Sequence, residues 1–150
     1  MEQKQNPVWM PEFIYRAKNK TTKEWVQGYY VPHFCENSID IGPCIITKTG
    51  NDSQVVSIDE STLGISFGKH DKNGKLIFTG DFVVDKECQM YGTVVFDLSE
   101  FCVEDIDDGI QSIDSFADID AWGNVEIVGN LYDCNGNIEK IISNFSEATC

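Results

Sequence analysis

Two tight-turn signals enclose a short apolar segment between Phe67 and Val84, and they restrict this part of the chain to closely spaced antiparallel strands. Asn73-Gly74 supplies the left-handed backbone conformations of the first turn, and Gly80-Asp81 leads into a second strand. Turns of this kind need Asp, Asn and Gly for backbone geometry. The pattern therefore predicts a structural role for Asp71, Asn73, Gly74, Gly80 and Asp81 before a chemical one.

The same alternation of short apolar segments and turn residues continues along most of the chain. Aromatic and β-branched residues on both sides of a polar break are typical of hairpins. The predicted strands are Phe13–Ala17, Trp25–Val31, residues 45–46 and 54–58, residues 76–78, Phe82–Val84 paired with Tyr91–Phe96, Phe101–Val103, and Val125–Val128 with its continuation at residues 131–132. This succession predicts an all-β fold of short antiparallel strands in hairpins, forming a small barrel or sandwich.

With 150 residues, the chain has the length of one domain. We expect an N-terminal arm over residues 1–12 and a single domain over 13–150, with a division into two β-subdomains near residue 60 as the alternative. Asp59–Thr62 fits either a turn or the start of a helix. Residues 104–120 fit either a partly helical segment or a surface loop, and the apolar spacing of residues 138–145 predicts a short C-terminal helix.

Negative charge is concentrated in the second half of the chain. Residues 1–75 carry nine Lys or Arg and nine Asp or Glu, whereas residues 76–150 carry two and sixteen, which accounts for the net charge of −14. Such a surface repels phosphate backbones, so nucleic-acid binding through this half is disfavoured. The charge serves either solubility or a basic partner, and the candidate binding surface is Asp105, Asp107, Asp108, Asp114, Asp118 and Asp120.

The cysteines favour a reducing compartment. The chain contains no closely spaced pair of the metal-binding or redox type, and we interpret all six as reduced residues of a cytosolic protein. These are Cys35, Cys44, Cys88, Cys102, Cys134 and Cys150. No N-terminal apolar run follows a basic segment and no run is long enough to span a membrane, so neither export nor membrane insertion is expected.

Two metal-site patterns are incomplete. His33, Cys35 and Cys44 resemble part of a zinc-deaminase pattern, but Cys35 stands where the catalytic Glu belongs and Thr47 replaces the second Cys. The acidic segments around Gly109 and Gly123 do not complete an EF-hand loop, which leaves only a weak cation site as an alternative. We therefore predict no metal and no cofactor.

Catalytic and nucleotide-binding patterns are also missing from the sequence. Adjacent turn residues such as His70 and Asp71 seldom face each other, and no nucleophile motif accompanies them. No glycine loop of the phosphate-binding type occurs. The aromatic residues Trp9, Trp25, Tyr29, Tyr30 and Trp122 fit a hydrophobic core, with a base-stacking surface as the alternative.

Three segments, taken together and in this order, resemble the YopX family of small proteins from bacteriophages and prophages. Tyr15–Lys18 and Trp25–Val31 resemble the family's FRxK and WVxGYYV strands. Residues 67–83 resemble its TGLKDKNGKxIYEGDxV segment, and Val125–Asp133, which includes Gly129 and Asn130, resembles its EVIGNIYE segment. Phe67, Thr79, the absence of a late Pro and a longer C-terminal tail depart from the pattern.

The resemblance implies a mostly β fold, a phage or prophage origin, the cytoplasm of a bacterial host and a function that is not characterised. It carries over no catalytic residue. We hypothesise a non-enzymatic protein-binding or self-assembling module, whose partner is another protein or a second copy. The alternatives are an acidic effector that mimics nucleic acid to block a host protein, and an enzyme with a pocket near His70, Asp71 and Asp81.

Overall fold

A computed structural model describes residues 14–49, 52–66, 68–87, 90–97, 100–105, 109–111 and 124–133. These residues form antiparallel strands and turns with no α-helix among them, so the predicted all-β fold is confirmed. The strands are β1 (Ile14–Asn19), β2 (Trp25–Val31), β3 (Cys35–Glu36), β4 (Ile39–Asp40), β5 (Cys44–Thr49), β6 (Asp52–Ser66), β7 (Asp81–Asp85), β8 (Met90–Asp97), β9 (Glu100–Asp105), β10 (Gly109–Gln111) and β11 (Glu126–Asn130).

The first half of the chain forms a closed barrel of β1, β2, β5 and β6. Its two hairpins follow the sequence pattern, since aromatic and β-branched residues alternate between the inside and the outside of the barrel. Ala17, Ile45 and Ile58 are buried inside. Tyr15, Val26, Tyr30 and Leu63 pack against them.

β6 is longer than the sequence predicts because the segment 59–62 continues the strand as a bulge. Arg16 of β1 pairs with Gly64, but Lys18 pairs with Asp59, so the additional residues protrude from the ladder. The Asp59 carboxylate accepts hydrogen bonds from Ser61, and Thr62 Oγ1 accepts the Lys18 amide. Both predictions for this segment, a turn or a helical start, are wrong, although the local turn chemistry of Asp59 is present.

The second half forms a five-stranded sheet in the order β10-β9-β8-β7-β11. β8 pairs with β7, as predicted, with Phe82 opposite Thr93 and Val84 opposite Tyr91. The core of this sheet is formed by Ile77, Val83, Val94, Cys102, Val103 and Val125. β6 runs without a break through residue 60, and the change from barrel to open sheet comes after Ser66.

The turn that begins at Asp71 covers the outer edge of β11. The Lys72 amide donates to the Val125 carbonyl, and the Ile127 amide donates to Asp71 Oδ2. Asp71 Oδ1 also accepts the amides of Asn73 and Lys75, and Gly74 has a φ of 79°. One buried carboxylate thus shapes the turn and holds it against the edge strand.

Four differences from the sequence predictions concern short segments. The loop expected over 32–44 contains the β3–β4 ribbon, whose turn residues Asn37 and Ser38 both have positive φ. Leu76 forms an isolated bridge with His70 instead of starting a strand. Residues 109–111 form β10 on β9, neither helix nor loop. Residues 131–132 form a turn after β11 instead of continuing the strand, because the Leu131 amide donates to the Gly80 carbonyl.

Some predictions lie outside the described residues. These are the arm over 1–12, most of the acidic segment 104–120 and the C-terminal helix over 138–145. Cys35 is exposed and Cys44 is buried, and neither forms a disulfide within the described part of the chain. No helix among the described residues is long and apolar enough to cross a membrane.

Candidate functional site

Polar and aromatic side chains concentrate where the barrel meets the sheet. The outer face of β1 and β2 there contacts two turns, one before β7 and one after β11. We call this region the junction, and its residues are Arg16, Lys18, Trp25, Phe78, Gly80, Asp81, Asn130, Tyr132 and Asp133.

Arg16 lies at the centre of the junction. Its guanidinium stacks between the rings of Trp25 and Phe78, at 4.7 and 4.8 Å from their centroids. Its Nη2 atom lies 2.6 Å from Asp81 Oδ1, and the two side chains are only 11% and 2% exposed. Neither Nε nor Nη2 forms an aligned hydrogen bond with a described residue, so the contact with Asp81 is an ion pair. Arg16 therefore joins the barrel to the sheet through charge and stacking.

Asp81 is held by its own turn as well as by Arg16. Its Oδ2 atom accepts the amide of Phe78, three residues earlier. Burial raises the pKa of the Asp81 carboxyl, and the positive charge of Arg16 offsets this effect only in part. The carboxylate is thus desolvated, and each of its two oxygens has a partner within the protein.

Asp133 makes the second polar link between barrel and sheet. It lies 2.8 Å from Lys18 Nζ and accepts hydrogen bonds from Trp25 Nε1 and from the side chain of Asn130. Burial alone would raise the pKa of Asp133, but the hydrogen bonds from Lys18, Asn130 and Trp25 outweigh that effect and lower it. Asp133 is therefore a structural anion in a partly exposed position.

Gly80 allows the two turns to come together. Its φ is 90°, and a Cβ atom at this position would lie 2.7 Å from the ring of Tyr132. That ring in turn meets Trp25 edge to face, with 5.9 Å between the centroids. A glycine is thus required at this position by both backbone conformation and space.

Beside the junction lies a groove of about 410 Å³, between β2 and the end of β11. Its volume falls in the range of small-ligand sites. The barrel lines it with Arg16, Trp25 and Gln27, and the sheet side with Lys75, Leu76, Phe78, Asp81, Ile127, Val128, Gly129, Asn130 and Asp133. Backbone bonds to Asp71 fix the turn that carries Lys75 to this groove.

The residues singled out from the sequence are distributed over several places. Asp71, Asn73 and Gly74 shape the turn against β11, whereas Gly80, Asp81, Gly129 and Asn130 lie at the junction or line the groove. His70 is exposed and does not line the groove. Of the six acidic candidates, Asp105 lies at the end of β9, and Asp107, Asp108, Asp114, Asp118 and Asp120 lie outside the described residues.

The candidate metal-binding and base-stacking residues do not form a common site within the described part of the chain. His33 Nδ1 lies 3.2 Å from an Asp40 oxygen at the surface. No group of three or more His, Cys, Asp or Glu side chains among these residues is arranged to hold a metal ion. Trp25 packs in the junction and Tyr30 against the barrel core, whereas Tyr29 is exposed.

Sequence reasoning missed Arg16, Trp25 and Asp133 as members of one site. The strand period did contain a signal, because Arg16, Lys18 and Trp25 all fall on the face of β1 and β2 opposite the buried Ala17. A cationic and aromatic outer face on adjacent strands indicates a surface that another element covers. The identity of that element depends on the fold, since Asp133 lies 108 residues from Trp25.

One solved structure with similarity to the chain is protein EF1440 from Enterococcus faecalis. The sequences are 22% identical, the match covers 88% of this chain and 99% of that one, and the TM-score is 0.45. No curated protein matches the sequence. The family model of the YopX protein matches residues 14–139, which is most of the chain. The chain therefore belongs to the YopX family.

Proposed function

We propose that this YopX-family chain is a non-enzymatic protein-binding module, and that it contacts its partner through the outer face of the barrel. The observation that carries the proposal is an apolar row across three strands. Tyr29 of β2 lies opposite Ile46 of β5, which lies opposite Val55 of β6. Tyr29 and Val55 are 58% and 44% exposed. We call these three residues the apolar row.

The apolar row supports binding because directly paired residues project on the same side of a sheet and form a continuous patch. A solvated outer face would be expected to carry polar residues at such positions. A further exposed apolar residue, Ile39, lies on the β3–β4 ribbon, which comes between β2 and β5 in the chain. Exposed apolar patches with an amphipathic tyrosine are a common feature of protein interfaces.

Charge favours the barrel over the sheet as the contact surface for most proteins. Its described ranges, 14–49 and 52–66, contain five Lys or Arg and six Asp or Glu. The described residues of the second half contain four and ten. A second copy of this acidic chain could approach barrel to barrel without bringing the two acidic halves together. Self-assembly is therefore one form of the proposed binding.

The assignment as a non-enzymatic module is supported by the environment of the two carboxylates in the turn segments. Asp71 accepts three backbone amides and Asp81 accepts one amide and pairs with Arg16. Both are buried. A general acid or base must reach the proton that it transfers, and these groups are enclosed and engaged.

The test is Val55→Lys, which places a charge within the apolar row, compared with Gln54→Lys on the neighbouring position of the same strand. Self-association is measured by light scattering after size-exclusion chromatography, and partner capture by pull-down from a bacterial lysate. We expect Val55→Lys to weaken the complex by at least about ten-fold and Gln54→Lys to leave it nearly unchanged. Equal behaviour of the two variants, or a monomer that captures nothing, would contradict the proposal.

A further inference from the structure

The groove beside the junction contains two carboxylates that are already engaged by the protein. Asp81 pairs with Arg16 and accepts a backbone amide, and Asp133 binds Lys18, Trp25 and Asn130. Both carboxylates therefore already have a cationic partner and a hydrogen-bond donor within the protein. The recognition chemistry of the groove is therefore set by its other polar groups.

Arg16 and Asn130 are two of those groups, but Arg16 is buried against Asp81 and Asn130 binds Asp133. The exposed ones are Lys75 and Gln27. Within the described part of the chain, neither side chain forms an ion pair or a hydrogen bond, and both are exposed at the groove. Lys75 is positioned by its turn, since its backbone amide and carbonyl are both held by Asp71. The positive charge of Lys75 acts on Asp81 from a distance and does not form a salt bridge with it. An ammonium from the sheet side and an amide from the barrel thus line the same groove.

Apolar side chains form another part of the wall. Leu76, Ile127 and Val128 line the groove next to Lys75, and Val128 is 36% exposed. A ligand that fills this space must combine a hydrogen-bond acceptor for Lys75 and Gln27 with a small hydrocarbon group.

We propose that the groove binds a monocarboxylate attached to a small apolar group, held by Lys75 and Gln27 against Leu76, Ile127 and Val128. A carboxylate offers two acceptor oxygens, enough for one ammonium and one amide donor. A phosphate dianion is disfavoured, because Asp81 and Asp133 line the same groove and the chain carries a net charge of −14. The groove shares no residue with the apolar row, so either proposal can fail alone.

The experiment is a titration of the full chain followed by amide shifts in ¹H–¹⁵N correlation spectra. The probe is 4-methylpentanoate, and its amide is the neutral isostere. Two further probes distinguish the source of the carboxylate. N-acetylleucine presents a chain terminus, and N-acetylglutamate N-methylamide presents a side chain.

We expect shifts confined to the groove, a dissociation constant on the order of 1 mM for so small a ligand, and at least about five-fold weaker binding of the neutral amide. Lys75→Gln should weaken binding of 4-methylpentanoate by the same factor. Lys72→Gln is the matched control, since this lysine lies on the same turn but pairs with Glu126 outside the groove. Gln27→Leu should weaken binding by a smaller factor.

Thermal unfolding of each variant verifies that it is folded. Binding of any of the three carboxylate probes with this dependence on charge and on Lys75 supports the site and identifies its source. The proposal is overturned if no groove amide shifts, if the neutral amide binds equally well, or if Lys75→Gln binds the carboxylate as the unmodified chain does.

Discussion

The barrel and the open sheet protect their strand edges in different ways. The barrel has no edge because β1 pairs with both β2 and β6. The sheet leaves β11 at its border and covers it with the turn held by Asp71. Edge pairing with a partner is therefore disfavoured at β11 and in the barrel. Binding has to use faces and grooves in these parts of the molecule, which is where the apolar row and the groove lie.

The two halves also differ in how strongly each depends on the junction. The barrel core is closed on itself, whereas the turns that lead into β7 and out of β11 contact the barrel directly. Removing junction residues should thus loosen the sheet side first. The predictions below test this difference, from the largest expected effect to the smallest.

Asp81→Ala should have the largest effect. It leaves the buried Arg16 without its counter-charge and the Phe78 amide without an acceptor, and we expect a loss of about 3–5 kcal/mol in the free energy of unfolding. Urea denaturation measures it. The control is Asp40→Ala, which removes an exposed partner of His33 and should cost less than about 1 kcal/mol. Similar costs for both variants would show that the junction contributes little.

Asp71→Ala should rank second. Three amides lose their acceptor, and the turn is no longer tied to β11, so we expect a loss of about 2–4 kcal/mol. Hydrogen exchange should speed up at Ile127 before it does so in the barrel strand β5. If the exchange rates of the barrel amides increased as much as the rate at Ile127, the result would contradict the view that the sheet loosens before the barrel.

Gly80→Ala tests the close approach of the two turns. We expect a loss of about 2–3 kcal/mol from positive φ and from contact with Tyr132. Gly42→Ala is the matched control, because Gly42 has a similar φ of 86° but open space around it, and about 1 kcal/mol is expected there. The difference between the two variants, from thermal or urea unfolding, isolates the contact with Tyr132. Equal losses in the two variants would show that Tyr132 does not contact Gly80.

The two junction carboxylates should titrate on opposite sides of the ordinary Asp pKa of 3.8. Because the pKa of Asp81 is raised in the folded protein, this residue stabilises the fold at pH below 3.8. The contribution is lost as the pH rises through the raised pKa. Asp133, with a lowered pKa, stabilises the fold at pH above 3.8 and loses that contribution as the pH falls through its own pKa. Carbon-13 NMR of the side-chain carboxyls measures both. The reverse order would contradict the hydrogen-bond assignments.

Local features of this fold could be predicted from the sequence, and long-range ones could not. β2 begins at Trp25 and ends at Val31, as predicted, because its residue types favour a strand and Pro32 ends it. The hydrogen bond from the Phe78 amide to Asp81 spans three residues and follows from turn chemistry. The sequence pattern underestimates the length of β6, because the pairing of β6 with β1 continues past the polar bulge at Asp59.

The junction shows the same limit for the candidate site. Each of its three contributing segments carries part of the family resemblance, and each was predicted as a strand or turn. That they meet depends on how the barrel packs on the sheet. The pairs Arg16–Asp81 and Lys18–Asp133 join residues from opposite halves, and no local pattern specifies them. The apolar row was likewise hidden, because alternation alone does not reveal which face of a barrel strand stays exposed.

The most direct test of binding through the barrel face compares one exposed apolar residue on each half. Val55 on the barrel is 44% exposed, and Phe96 on the sheet is 57% exposed. Val55→Lys and Phe96→Lys are compared at equal concentration by size-exclusion chromatography with light scattering and by partner capture. The account predicts that Val55→Lys loses the complex and Phe96→Lys keeps it. A complex lost with Phe96→Lys and kept with Val55→Lys would contradict it.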